Sequence, residues 1–492
     1  MKPLYSVAEI RSIEHAAAAT LPPGSLMQRA GLAAAEVARD MMRGGAVLVL
    51  AGPGNNGGDA LEAGANLAND GVDVTIIHLA GAAASAETAH ALERARASKA
   101  SFADALPPAR DWSLIIDGLF GIGLARAMAG QARELAEAVN ALSCPVLALD
   151  IPSGLDADSG ALVGPDPVVI RATRTITFIG DKPGLHTFAG RDHAGEVVVA
   201  SLGIDPAMLP HPTTRLIEVA MFAACLTPRA HNSHKGSFGD VAVVGGAQGM
   251  AGAAVLAARA ALFGGAGRVF VAAIDPGAAF DSVHPEIMFR EAASFKASAS
   301  TLVVGPGMGD SAGAMRALQK ALDGPAPLVL DADALNLLGA SPDLLERLTA
   351  RSAPVVMTPH PLEAARLLGV TSNVVQGDRL SAARELAARY QAIVVLKGSG
   401  TVIADPDGLA VINTSGNPGL ATGGSGDVLA GLCASLLAQG WPAWQAALGS
   451  VYIHGAAADL LVEHGCGPIG MTAGELPLAA RAVLNRLVAR EH

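Results

Sequence analysis

Short apolar runs rich in β-branched residues alternate along the chain with Ala-rich helical segments. That alternation predicts parallel α/β sheets. In the first half, strands are expected at Ala46–Ala51, Val74–Leu79, Leu114–Asp117, Val146–Asp150, Thr175–Ile179 and Val197–Ala200. In the second they are expected at Val241–Gly245, Val269–Ala273, Leu302–Val304, Leu328–Asp331, Val355–Thr358 and Ile393–Leu396. A hairpin, Thr401–Ala404 with Leu409–Ile412, turns at Pro406-Asp407-Gly408. The weakly patterned, proline-containing stretch from Gly203 to Pro212 marks a boundary near residues 205–218. We expect one domain over residues 1–212 and another over 218–492. Ser6-Val-Ala-Glu9 has the spacing of a helix capping box.

At 492 residues the chain is long for one hydrophobic core, which agrees with two domains. Aromatic residues make up only 3% while glycine contributes 57 residues, so the cores must pack through Ala, Val, Leu and Gly. Charged residues are 16% and the net charge is −11, with acidic residues in excess in both halves. Neither half is a basic module, and nucleic acid is not an expected partner. The four cysteines show no CxxC spacing, which fits a reducing cytoplasm. Charges at Glu9, Arg11 and Glu14 interrupt the N-terminus where a signal peptide would need an apolar core. Val241 to Ala258 is uncharged, but its glycines and Gln248 read as strand, turn and helix rather than a membrane span. These features point to a soluble small-molecule enzyme.

In open α/β sheets, functional groups gather past the carboxyl ends of strands. The first such end runs into Gly52-Pro-Gly54-Asn55-Asn56-Gly57-Gly58-Asp59. This matches GxGxxG, yet no acidic ribose ligand closes the second strand, and Asp59 is awkward beside a pyrophosphate. The loop reads instead as a polar pocket floor, the plainer alternative being a glycine turn capped by Asp59. Asp117 leads into Gly118-Leu-Phe-Gly121-Ile122-Gly123-Leu124-Ala125-Arg126-Ala127, whose amides suit a phosphate. Asp150 precedes Ile151-Pro-Ser153-Gly154 and is a candidate for proton transfer. Oxygens of Asn56, Asp117 and Ser153 can surround a hard cation. These motifs, in this order and together with Gly180-Asp-Lys182-Pro-Gly-Leu185, resemble the NAD(P)H-hydrate epimerase domain over nearly the whole first half. The resemblance implies a Rossmann-like three-layer fold. It implies that Asn55–Asp59, Gly121–Ala127 and Asp150 bind the hydrated nucleotide, and that Asn56, Asp117 and Ser153 bind potassium. Ala60 departs from the family's usual Gly, a change that a first helical turn tolerates.

The strongest local signal in the second half is Asn417-Pro-Gly-Leu-Ala-Thr422-Gly-Gly-Ser-Gly426-Asp427, followed by an apolar helix expected at Val428–Ala438. Glycines allow close backbone approach to a phosphate, and a helix N-terminus adds amide donors. Asp427 is placed to take a proton from a hydroxyl beside that anion hole. Lys397-Gly398-Ser399-Gly400-Thr401 suits a nucleotide phosphate or ribose, the plain alternative being a surface lysine before a hairpin. His360 between two prolines is rigidly displayed. Gly305-Pro-Gly307-Met-Gly309 supplies another close-approach turn, and His231-Asn-Ser-His234 reads as a substrate-side loop, not a metal site. GxGD at a helix start resembles the ribokinase-like superfamily. With His231–Gly239, Gly305–Gly309, Asp331–Asn336 and Thr358–Pro361 it resembles, more narrowly, the NAD(P)H-hydrate dehydratase domain, with Leu362 where Gly is usual. That resemblance implies a ribokinase-like α/β fold. It gives Lys397–Thr401 and Gly426 to the adenine nucleotide, and Ala253, Gly309, His360 and Asp427 to the hydrate.

Together the resemblances imply interconversion of R and S hydrates of NADH and NADPH, and ADP-driven dehydration of the S form to AMP and phosphate. The implied cofactors are K+ in the first domain and Mg2+ with ADP in the second. The expected partners are NAD(P)H hydrates and ADP, with no nucleic acid and no membrane. A homo-oligomer is expected, a tetramer being one form open to it. The rival reading is a thiazole or pyrimidine alcohol kinase fused to a non-catalytic binding or scaffold domain.

Overall fold

The protein is described by a computed structural model covering residues 2–491, apart from 82–84, 108–109, 276–279 and 296–299. Two units are distinct in their internal contacts, Pro3–Thr214 and Arg215–His492, the latter taking in the first two residues.

In the first unit the sheet runs in the order Ser101–Phe102, Val74–His78, Ala46–Ala51, Trp112–Gly118, Val146–Leu149, Arg174–Phe178, Glu196–Ala200. Every neighbouring pair is parallel. Alternation along Ala46–Ala51 sends Val47, Val49 and Ala51 into a core shared with the Ser25–Met41 and Asn55–Asn69 helices. Leu48 and Leu50 enter the opposite core, against the Gly130–Asn140 helix. Layers on both faces follow from this double-sided burial. Chain order reverses between Ala46–Ala51 and Trp112–Gly118, so the carboxyl ends of those two strands flank a crevice. The short Ser101–Phe102 strand has too few residues to have been legible as a run.

The second unit repeats the plan. Its strands run Ala410–Ile412, Val402–Ala404, Ile393–Leu396, Val355–Met357, Leu328–Leu330, Ser300–Val304, Asp240–Gly245, Arg268–Ala273, Met288–Glu291. The pairs from Ile393–Leu396 to Met288–Glu291 are parallel, and the hairpin joins antiparallel. Small residues set how closely helices approach. A Cβ on Gly431 would fall 2.0 Å from the Ala257 carbonyl oxygen, so the Ser425–Ala438 and Ala251–Phe263 helices meet backbone to backbone there. The Ser6–Glu9 capping box is present, with Ser6 N–H donating to Glu9 Oε2 at 2.7 Å. Among the described residues no helix is long and apolar enough to cross a membrane.

Candidate active sites

The glycine loop after Ala46–Ala51 turns directly into the Asn55–Asn69 helix, with Gly54 as its N-cap. Asp59 therefore lies within the first turns and is not the cap. Gly57 is required by packing, since a Cβ there would lie 1.8 Å from the Gly52 carbonyl oxygen. Gly58 faces the flexible end of Met27, whose Cε would lie 2.5 Å from a Cβ there. With those glycines behind it, the loop presents Asn55, Asn56 and Asp59 to a cavity of about 820 Å³. Gly121, Ile122, Gly123, Leu124 and Asp150 line the same cavity, as do Arg11 and Glu14 of the Val7–Ala18 helix. Gly57, Gly58, Ala125, Arg126 and Ala127 are not among its lining residues. Ala60 is fully buried, and its Cβ fills the space above Gly118.

Two polar clusters reach this cavity through Asn56 and Asp150, whereas Asp117, Ser153 and Lys182 are not among its lining residues. In the first, buried Asp117 accepts from Ser153 Oγ at 2.7 Å, from Ser153 N–H at 2.9 Å and from Leu119 N–H at 3.2 Å. Burial pushes its carboxyl up to about 6 against those hydrogen bonds. Asn56 adds a buried side chain whose amide oxygen and nitrogen both lack a partner. An orphaned amide oxygen, a desolvated carboxylate and a hydroxyl are donor types suited to a monovalent cation. In the second cluster, Asp150, the residue after the Val146–Leu149 strand, has φ +64°, a left-handed backbone uncommon for a non-glycine residue. Its Oδ1 is 2.7 Å from Lys182 Nζ. Asp59 has no such cation. Burial, then the charges of Asp150 and Glu14, hold its carboxyl well above the usual range. Burial and Asp150 likewise raise Glu14. Lys182 carries no assigned role in the sequence reading, because nothing in its local motif shows which strand end it faces.

In the second unit a cavity of about 360 Å³ is lined by Asp331, His360, Glu363, Lys397, Gly398, Thr422, Gly424, Ser425, Gly426 and Asp427 among others. The Ser425–Ala438 helix has Gly424 as N-cap and no side-chain cap, so its leading amides are left for an anion. Asp427 makes no capping bond. Burial, then the Asp331 charge, pushes its carboxyl up to about 7. Lys397 is held 2.6 Å from Asp331 Oδ1 and 4.0 Å from Glu363 Oε2, so it is a partnered, partly buried cation rather than a free surface lysine. His360 does two things. Its Nδ1 accepts from the N–H groups of Leu362 (3.1 Å) and Glu363 (3.3 Å), capping the Pro361–Leu368 helix, while its exposed side faces the cavity. Burial and Lys397 lower its imidazole. Buried Arg379 donates to the Leu396 and Lys397 carbonyls, both at 3.1 Å, and so fixes where the lysine leaves its strand.

Ala253, Gly309, Ser399, Gly400 and Thr401 do not line this cavity. Gly309 donates its N–H to Asp333 Oδ2 at 2.8 Å, and Thr401 Oγ1 donates to the Gly398 carbonyl at 3.1 Å. His231 and His234 are exposed and also lie outside it, His234 capping a short 3-10 helix. Asp331, Glu363 and Arg379 are the contributors that sequence reasoning left without a role. The strand-end rule pointed to the first of them.

Two parallel α/β units, each with titratable groups gathered past its strand ends, make this a two-site α/β enzyme. Residues 241–477 match the family model described as NAD(P)H-hydrate dehydratase, and residues 23–184 match that of the YjeF-related protein N-terminus. A bifunctional NAD(P)H-hydrate repair enzyme of Coxiella burnetii is 38% identical over 99% of this chain and 100% of its own length. That of Escherichia coli is 38% identical over 94% and 89%, and that of Mycobacterium leprae 36% over 99% and 100%. An ADP/ATP-dependent NAD(P)H-hydrate dehydratase of Bacillus subtilis, crystallised with ATP and Mg2+, is similar over 56% of this chain (32% identity, TM-score 0.48). The chain belongs to the family of bifunctional NAD(P)H-hydrate repair enzymes.

Proposed function

We propose that the first unit interconverts the R and S hydrates of NADH and NADPH, and that the second dehydrates the S form at the expense of ADP. The observation that carries the second part is Asp427, a carboxyl with no capping duty that lines a cavity at an uncapped helix N-terminus beside Lys397. A base raised toward neutrality is matched to its task. Asp427 takes the proton of the C6 hydroxyl as its oxygen attacks the β-phosphorus of ADP, and AMP departs. The phosphorylated substituent then leaves as phosphate, its C–O bond broken by the electron pair of the ring nitrogen, and loss of the C5 proton restores the dihydropyridine. Lys397 and the helix amides stabilise charge on the transferring phosphoryl group.

In the epimerase cavity the ring nitrogen expels the C6 oxygen as water, and water returns on the other face. Asp150 is the group we assign to moving that proton. The donor set of Asn56, Asp117 and Ser153 supports K+, which would supply fixed positive charge near the nucleotide. Among the described residues no cluster of three or more His, Cys, Asp or Glu side chains is placed to hold a metal. Mg2+ therefore fits as a companion of the ADP phosphates rather than an ion in a protein cage.

The test is to incubate the protein with mixed R and S hydrates and ADP while following reduced-nicotinamide absorbance. Recovery of both epimers is expected, with one AMP and one phosphate formed per nucleotide. A stable phosphorylated product would favour the kinase reading. Recovery limited to the S fraction would remove the epimerase.

A further inference from the structure

Lys182 has no exposed surface at all. Besides Asp150 Oδ1 at 2.7 Å, its ammonium donates to Thr177 Oγ1 (2.6 Å) and to the carbonyls of Phe178 (3.1 Å) and Gly180 (3.2 Å). Thr177 in turn donates its hydroxyl to Asp150 Oδ1 at 3.5 Å, and Phe178 N–H approaches the same oxygen at 3.4 Å. The three contacts to the Asp150 carboxylate, from Lys182, Thr177 and Phe178, all engage Oδ1. Oδ2 lies on the other side, where a Cβ built on Gly121 of the cavity wall would be 3.5 Å away. One oxygen is tethered and the other is presented.

The charges around Asp150 explain why a tether alone would not suffice. From the Val7–Ala18 helix it faces Glu14, with Arg11 near that carboxyl, and from the Asn55–Asn69 helix it faces Asp59. Three carboxyls thus converge on a buried space, and like charges in such a space do not all ionise. Lys182 is the cation in direct contact with one of them. A buried charge without a partner is strongly disfavoured, and the Lys182 contact gives Asp150 that partner.

We propose that Lys182 is the positioning residue for Asp150, holding Oδ1 and its negative charge so that Oδ2 alone meets the C6 oxygen of a hydrated nicotinamide. The inference rests on the reading of Asp150 as the proton-transfer group. No bond to Lys182 forms or breaks. The proton passes between the substrate's departing or arriving water and Oδ2.

The experiment measures R-to-S exchange by the full-length chain over mildly acidic to alkaline pH in Lys182→Met, Lys182→Gln and Asp150→Asn. The Gln amide can still donate to the strand-end carbonyls, so this variant keeps hydrogen bonding there and loses the charge. In both Lys182 variants kcat at neutral pH is expected to fall about 10-fold or more with little change in KM. The acid limb of the rate profile is expected to move up by about one unit or more, the usual effect of a contacting opposite charge. A merely structural lysine would lower activity evenly across pH, and an unshifted acid limb in folded Lys182→Gln would overturn the proposal. Failure of both Lys182 variants to fold would overturn it too, placing the lysine in the scaffold. Near-normal exchange by Asp150→Asn would instead sink the underlying reading of Asp150. An inactive Asp150→Asn beside an unshifted Lys182→Gln would sink the lysine's role alone.

Discussion

Asp427 separates capping from catalysis in a single substitution. Asn caps helices about as well as Asp, but here Gly424 is the N-cap and no side chain caps the helix. Asp427→Asn is therefore expected to fold and to bind ADP, while ADP-driven dehydration falls by about 100-fold or more, the usual cost of losing a general base. Single-turnover recovery of NADPH from S-hydrate is the measurement, and recovery above about a tenth of the wild-type rate would defeat the assignment. The carboxyl pushed up to about 7 also sets a pH dependence. Its basic form is lost as pH falls, so kcat/KM for dehydration is expected to drop about 10-fold per unit below neutrality and to level off above about pH 8. A flat profile between pH 5.5 and 8.5, values chosen to span roughly that carboxyl's range, would contradict the role. In the other unit, exchange of K+ for a larger organic cation, or Asp117→Ala, is expected to slow epimerisation while the unit stays folded by circular dichroism. Epimerisation indifferent to both would leave the Asn56–Asp117–Ser153 cluster without its ion.

At the scale of the element, strand ends were readable where strands are long and apolar on both faces, and unreadable where a pairing is brief. Ala46–Ala51 and Ile393–Leu396 stand in the sequence with their observed bounds. Ser101–Phe102 and the half-exposed edge strand Met288–Glu291 carry no apolar run to read. The site was legible to the same degree. Asp117, Asp150 and Asp427 follow directly from strand and helix ends, whereas Lys182 reaches Asp150 across 32 residues and Lys397 reaches Asp331 across 66, geometry that no local motif encodes. Arg379 is a third instance. It lies on the Arg379–Tyr390 helix and joins the carbonyls of Leu396 and Lys397. Arg379→Met is expected to free that strand end, raising KM for ADP and lowering the dehydration rate by about 10-fold, the effect of one charged hydrogen bond at the weak end of about 1.5–3 kcal/mol. Epimerisation is expected to be untouched. Normal ADP kinetics in the folded variant would show that Lys397 needs no such anchor.

At the scale of the whole molecule, the described lining of each cavity comes from one unit. The residues lining the first lie between Arg11 and Leu202, and those lining the second between Asp331 and Asp427. With each described lining drawn from one unit, the two reactions are expected to be linked by the S-hydrate that one forms and the other consumes. An Asp150→Asn chain is then expected to dehydrate pure S-hydrate at the wild-type rate and to recover only the S part of a mixture. An Asp427→Asn chain is expected to exchange epimers normally and to recover nothing. Mixing the two variants in equal amounts is expected to restore recovery of both epimers, because free S-hydrate released by one chain diffuses to the intact site of the other. The restored rate is expected to rise with total protein concentration, as a freely diffusing intermediate requires. A mixture that recovers no more than Asp150→Asn alone would show that the intermediate must pass within one chain, and would overturn the independence of the two sites.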